Sequence, residues 1–147
     1  MLFLHEAAVQ RIQELKNNQK VKILSASSYD DGYYITFRKC RAVLQNCSDK
    51  VLKDATIVFL TFDNNGYPVS ADYSMYTDNN VENANRCGAD SINVQPGGTW
   101  GYQYAWNIAD EATKVKACVK SAKFYDDDKE WVNPYYEYWL ENEKERY

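Results

Sequence analysis

Histidine is almost missing from this chain: His5 is the single one, at the very start. A nucleophile–histidine–acid relay would have to recruit it from there, so that class of chemistry has little to build on. The six glycines cluster at turns and form no phosphate-cradling pattern. The four cysteines, Cys40, Cys47, Cys87 and Cys118, include no C-x-x-C pair, and with one distant histidine they offer no zinc ligand set. No run of about 18 apolar residues exists to cross a membrane as a helix. The opening Met1-Leu2-Phe3-Leu4 is too short for a signal-peptide core before His5-Glu6. A positive balance of charge is lacking too. A net charge of -4 and a pI near 5.0 give no concentrated basic patch for nucleic acid or an anionic membrane surface. The local clusters Arg38-Lys39-Arg41 and Lys114-Lys116-Lys120 read as solvated strand faces. No cofactor, metal site, nucleic-acid partner or direct membrane insertion is therefore expected.

The cysteines read as free, mostly buried thiols. If Cys40 and Cys47 share one strand, steps of roughly 3.3 Å hold them about 23 Å apart, against roughly 7 Å at most for a disulfide. The even count leaves three pairings formally open. Asn46-Cys47-Ser48 matches a glycosylation acceptor, a pattern short enough to arise by chance.

What is abundant is tyrosine, with 13 residues, joined by four tryptophans. Broad aromatic and β-branched side chains pack well on a pleated surface, so a β-rich fold is expected. The same side chains make efficient contact surfaces. A length of 147 residues suits one domain that buries its own core.

Periodicity divides the chain. Ala8, Ile12 and Leu15 share a helical face, with Val9 beside them, and Asn17-Asn18 ends that helix. Residues 1–19 are thus a helical lead-in and 20–147 the main domain. From Val21 the period becomes two. Val21 and Ile23 begin one strand, Asp30-Asp31-Gly32 is a turn, and Tyr33, Ile35 and Phe37 alternate towards Val43-Leu44 on a second. Leu52 to Phe62 is apolar on both faces, which marks a central strand covered on both sides. Asp63-Asn64-Asn65-Gly66 closes it, and Pro68 suggests an edge. Asp72 to Gly88 is polar and aperiodic and reads as the longest loop. Ile92 and Val94 mark a short strand. After Pro96-Gly97-Gly98, Trp100, Tyr102, Tyr104 and Trp106 alternate as if sharing one face of one strand. Val115 to Tyr125 is the last long strand, Asp126-Asp127-Asp128 a turn, and Trp131-Val132 a short return. Pro134 stands at the first position of a C-terminal helix, with a frayed end from Glu141 to Arg146. Seven or so short strands with regular turns indicate a mainly β fold, an immunoglobulin-like antiparallel β-sandwich with a short N-terminal helix and a C-terminal helical segment.

Phe59-Leu60-Thr61-Phe62-Asp63, Asn65-Gly66-Tyr67-Pro68 and the Pro96-Gly97-Gly98 turn resemble the FxLYD-type immunoglobulin-like bacterial domains of unknown function. Lys123-Phe124-Tyr125-Asp126 and Trp131 to Tyr136 resemble a closely related uncharacterised bacterial family. The resemblance spans roughly Val21 to Trp139. It implies an accessory or binding role, envelope-associated and extracytoplasmic, and carries no catalytic residues.

The functional expectation is a non-catalytic binding, interaction or spacer module with an unidentified protein or glycan partner. Its candidate contact residues are Trp100, Tyr102, Tyr104, Trp106 and Tyr138. The aromatic alternation reads either as the inner face of a sheet or as a platform for a peptide or a sugar. A glycoside-acting enzyme would need two carboxyls roughly 5 to 9 Å apart across a cleft, and no pair in the sequence is singled out. Asp30-Asp31 and Asp126-Asp127-Asp128 could gather oxygen ligands for calcium, but each reads more simply as a turn. In the C-terminal helix, Tyr135 and Trp139 are expected to face inward, Tyr136 and Leu140 to form the adjacent stripe, and Tyr138 to point away.

Overall fold

The computed structural model describes residues 2–30, 32, 38–71 and 76–147. The expected alternation from Tyr33 to Phe37, Asp31 of the first turn, and Asp72 to Met75 of the expected loop lie outside the described residues.

The chain runs α1 (Leu2–Asn17), β1 (Val21–Tyr29), β2 (Arg38–Asn46), β3 (Leu52–Phe62), β4 (Thr77–Asp78), β5 (Val81–Ala89), β6 (Thr99–Trp100), β7 (Trp106–Ile108), β8 (Lys114–Phe124), β9 (Trp131–Val132) and α2 (Tyr136–Glu143). The fold is mainly β, with two antiparallel sheets and a helix towards each end. In the first sheet β2 lies between β1 on one side and the short β6 and β7 on the other. The second has the order β4-β5-β3-β8-β9. The hairpin expected from Val21 onward is present: Val21 faces Asn46 and Tyr29 faces Lys39, with one bulge between Ile23 and Ser25.

The two-faced pattern of β3 explains the layering. Ile57 and Phe59 join Val21, Cys40, Ala42 and Leu44 of the first sheet in one core between the sheets. Val58, Leu60 and Phe62 look the other way and are covered by Tyr135, Tyr136, Trp139 and Leu140 of the C-terminal segment. Ile12 and Leu15 of α1 pack at the margin of this second cluster, whereas Val9 stays exposed. The turn after β3 is built by Asp63, whose carboxylate accepts the backbone N–H groups of Asn65 and Tyr67. Gly66 there has φ +81°, a conformation glycine adopts without steric cost. Arg146 and Tyr147 close back onto this turn through the carbonyls of Asn65 and Gly66.

Three expectations are corrected. Most of the expected Asp72–Gly88 loop is β4 and β5, and β5 lies beside β3 inside the sheet. Its polarity concealed it. Asn83 and Asn85 are buried, and the Asn85 amide donates to the Phe59 carbonyl and the Thr61 hydroxyl of β3, so these amides satisfy themselves within the sheet. The aromatic alternation from Trp100 to Trp106 is also not one strand, as described below. Finally, α2 begins at Tyr136, not at Pro134, and runs to Glu143. Asn133 sets the start, since its side-chain oxygen accepts the Tyr135 N–H and its backbone carbonyl the Tyr136 N–H.

The described cysteines are free, with Cys40, Cys87 and Cys118 buried and Cys47 exposed. Asn46 is buried, and its amide donates to the carbonyls of Lys50 and Val94, so it presents no glycosylation acceptor.

The cluster beneath α2 carries a pH signature. Burial pushes the Cys118 thiol up from an ordinary value of 9.0 to about 12. Burial, and then Asp78 beside it, raises the Tyr136 phenol as well. Both groups therefore keep their protons longer in the folded chain than in the unfolded one. The stability tied to them is complete below the unfolded values, about 9 for a thiol and about 10 for a phenol, and is lost as pH rises through the folded ones. Urea titrations at stepped pH should show the midpoint falling from pH 9 to 12, by up to about 1.4 kcal/mol per pH unit for each group. Cys118→Ala should flatten the part of that slope that begins near pH 9.

Candidate functional site

β6 and β7 are two halves of one interrupted strand. Trp100 faces Leu44 and Trp106 faces Cys40 on the same edge of β2. Seven residues on one side, Trp100 to Trp106, thus answer five on the other, Cys40 to Leu44, and the surplus leaves the sheet as a bulge. Gly101 forces the break, with φ +126° and a backbone so close to β2 that a Cβ there would collide with the Ala42 carbonyl oxygen. The four aromatics are consequently divided. Trp100 and Trp106 are half-buried and pack on the core between the sheets. Tyr102 and Tyr104 stand in the bulge, 64% and 53% exposed, and so remain available for contact. The Tyr104 ring stacks on Trp100 at 4.5 Å between centroids, while Trp106 leans on Phe59 at 5.6 Å.

This arrangement opens two cavities that share Trp106 and Gly88. The larger, of about 560 Å³, lies between β5 and β7. Its wall includes Asn85, Arg86, Cys87, Trp106, Asn107 and Ile108. A volume of this size suits a small molecule or one bulky side chain of a larger partner. Its neighbour, of about 240 Å³, is bounded by Asp90, Ser91, Ile92 and the Trp100–Tyr104 stack. The chemistry on offer is a set of aromatic surfaces, a partly exposed arginine and several amide groups. Arg86 Nη1 lies 3.9 Å from Asp78, while the Asn107 side-chain oxygen accepts from Lys39. No carboxylate stands among the described residues of the larger cavity.

Tyr138 lies elsewhere. It sits on α2 over the second sheet, 39% exposed, with its ring 6.1 Å from that of Tyr135. Sequence reasoning missed Arg86, Cys87 and Asn107 because no local pattern joins β5 to β7. Asp54, Asp90 and Glu130 do gather around a small cavity of about 150 Å³ beside Lys123. Among the described residues, however, no group of three potential ligands is placed to hold a metal ion. Asp126 to Asp128 form a turn whose Asp127 carboxylate accepts the Lys129 N–H, and Asp126 adopts φ +65°.

A hypothetical protein from Peptoclostridium difficile 630, known from an X-ray structure, has a similar fold. The TM-score is 0.65 at 15% sequence identity, over 88% of this chain and 93% of that one. At that identity the likeness concerns the fold alone. No curated protein matches the sequence. A family model matches residues 39–146, from the start of β2 to the end of the C-terminal segment. The chain belongs to that family, the family of unknown function DUF5780.

Proposed function

We propose that this protein is a non-catalytic binding module whose ligand seats in the twin cavities beside Trp106. We read its two sheets as an immunoglobulin-like sandwich of the FxLYD kind. The shared core between the sheets and the antiparallel pairing throughout support that reading. The favoured ligand is a segment of a partner protein at the cell envelope, where the FxLYD resemblance points. One observation carries the proposal: two neighbouring cavities that share Trp106 and Gly88 match successive side chains of an extended peptide. Tyr104 on the wall of the smaller cavity, and Tyr102 exposed in the same bulge, would add contact area with little entropy to lose.

A second reading has its own support. Trp and Tyr rings beside Asp and Ser groups form the kind of surface on which a sugar ring stacks and hydrogen-bonds. A peptide array and a glycan array, each probed with the intact protein and with Trp106→Ala, test both. The expected result is a family of peptides bound by the intact protein and weakened at least about tenfold by the substitution, the scale of a binding hot spot. Trp106-dependent binding to defined glycans instead would transfer the site to the carbohydrate reading. Ligands that bind equally well to both proteins would remove the cleft from the function.

A further inference from the structure

The two cavities beside Trp106 differ in charge. Among the described residues of the larger one, Arg86 is the only charged side chain. Its side chain is 47% exposed. Asp78, at 3.9 Å, is beyond hydrogen-bond range of the guanidinium, and both Asp78 oxygens already serve Lys120 and the Tyr136 hydroxyl. The Arg86 N–H groups therefore have no hydrogen-bond acceptor among the described residues. Two more donors stand on the same wall. The Asn107 side-chain oxygen is occupied by Lys39, which leaves its NH2 group to donate elsewhere. Thr56 adds a hydroxyl. Around them Ala71, Trp106 and Ile108 present apolar surface, which strengthens any ion pair formed there. The smaller cavity carries the opposite sign through Asp90. Asp90 also joins Asp54 and Glu130 around the adjoining small cavity, where Lys123 is the one cation among the described residues.

We propose that the cleft selects an acidic peptide: a Glu or Asp side chain of the partner enters the larger cavity, and its carboxylate pairs with the Arg86 guanidinium. This inference rests on the peptide reading of the two cavities. An arginine fork matches the two oxygens of a carboxylate. A phosphate group carries nearly two charges and is usually met by a cluster of arginines, so a single Arg86 suits a carboxylate better. Asp90 sets the direction of the bound chain. Side chains on one face of an extended peptide are two residues apart. The residue two positions from the acid then meets the Trp100–Tyr104 stack beside Asp90. A second acid there would face like charge, so that position takes a neutral or basic residue.

The test screens random octapeptides, acetylated and with amidated C-termini, against the full chain and against Trp106→Ala. Every peptide whose binding needs Trp106 is remade in two forms. In one, Glu is exchanged for Gln and Asp for Asn; in the other, the C-terminus is a free acid. The exchange to amides should weaken binding to the intact protein at least about tenfold. This arm leaves the protein unchanged, so it decides the matter even where a variant fails to fold. Arg86→Gln should weaken the acidic peptides by a similar factor and leave the affinity of their amide forms unaltered, the mark of a direct pair. Arg86→Lys keeps the charge without the fork and should restore only part of the binding. Trp106-dependent peptides indifferent to the exchange would overturn the inference and leave the peptide reading in place. So would binding that appears only with a free C-terminus, which would make the chain end the anion. No Trp106-dependent peptide at all would overturn both.

Discussion

Removal of the chain after Asn133 should leave a protein that does not hold its native fold at room temperature. The deleted segment supplies Tyr135, Tyr136, Trp139 and Leu140, each less than a tenth exposed, to the cluster over the outer face of the second sheet. Without them Val58, Leu60, Phe62 and Cys118 would face water along two adjacent strands. Burial of a large apolar side chain contributes about 1.5 to 3 kcal/mol, against a total stability of about 5 to 15 kcal/mol for a typical domain. Four such losses consume that margin. The truncation also removes Arg146 and Tyr147, which bond to the turn after β3. Point substitutions divide the effect. Trp139→Ala should cost about 3 to 5 kcal/mol, the usual result of emptying a buried aromatic site. Tyr138→Ala, at the half-open face of the helix, should stay within about 0.5 kcal/mol. Urea unfolding of the three proteins measures the difference. A truncated chain that melts like the full one would show that the segment is an appendage.

Asp78→Ala should be the most damaging single polar substitution. The Asp78 side chain is 1% exposed, and three groups face its carboxylate. Lys120 donates to one carboxylate oxygen and the Tyr136 hydroxyl to the other, with Arg86 at 3.9 Å. The network ties β4, β8 and α2 together, which secures the helix that covers the second cluster. Removal of Asp78 breaks the charge-assisted hydrogen bonds to Lys120 and Tyr136 at once, each worth about 1.5 to 3 kcal/mol, so the loss should be about 3 to 5 kcal/mol although Lys120 keeps 28% of its side chain in water. Tyr136→Phe should cost less, about 1.5 to 3 kcal/mol, because Lys120 still compensates the carboxylate after one charge-assisted hydrogen bond is lost. The double substitution should cost less than the sum, since both changes break the same hydrogen bond. Strictly additive losses in urea unfolding would show that the Tyr136–Asp78 bond contributes nothing.

The elements that the sequence determined by itself are those in which burial follows a local rhythm. β3 announced its two covered faces through apolar residues at every position from Ile57 to Leu60, and the structure places one set between the sheets and the other under α2. The apolar side of the C-terminal segment was legible for the same reason, as was the exposed Tyr138, but Tyr136 and Leu140, expected as the adjacent stripe, are buried more deeply than the expected inward pair Tyr135 and Trp139. Turn chemistry at Asp63-Asn64-Asn65-Gly66 was equally local, because one carboxylate and one positive φ build it. The near-absence of histidine and the lack of a cysteine-pair motif narrowed the chemistry before any fold was known.

Tertiary structure decided the rest. β5 is a strand because Asn83 and Asn85 find partners on β3, and hydropathy registers an amide as polar whether or not its hydrogen bonds are met inside the protein. The aromatic alternation from Trp100 to Trp106 promised one face of one strand. Gly101 breaks it where it meets Ala42, a residue 59 positions earlier in the sequence, and that close approach sends the tryptophans inward and Tyr102 and Tyr104 outward. Asp78 finds Lys120 and Tyr136 only because separate elements converge. Periodicity reports which side of an element is apolar. Only the packed sheets decide which polar groups and rings meet, because those partners are set by distances across the fold and not along the chain.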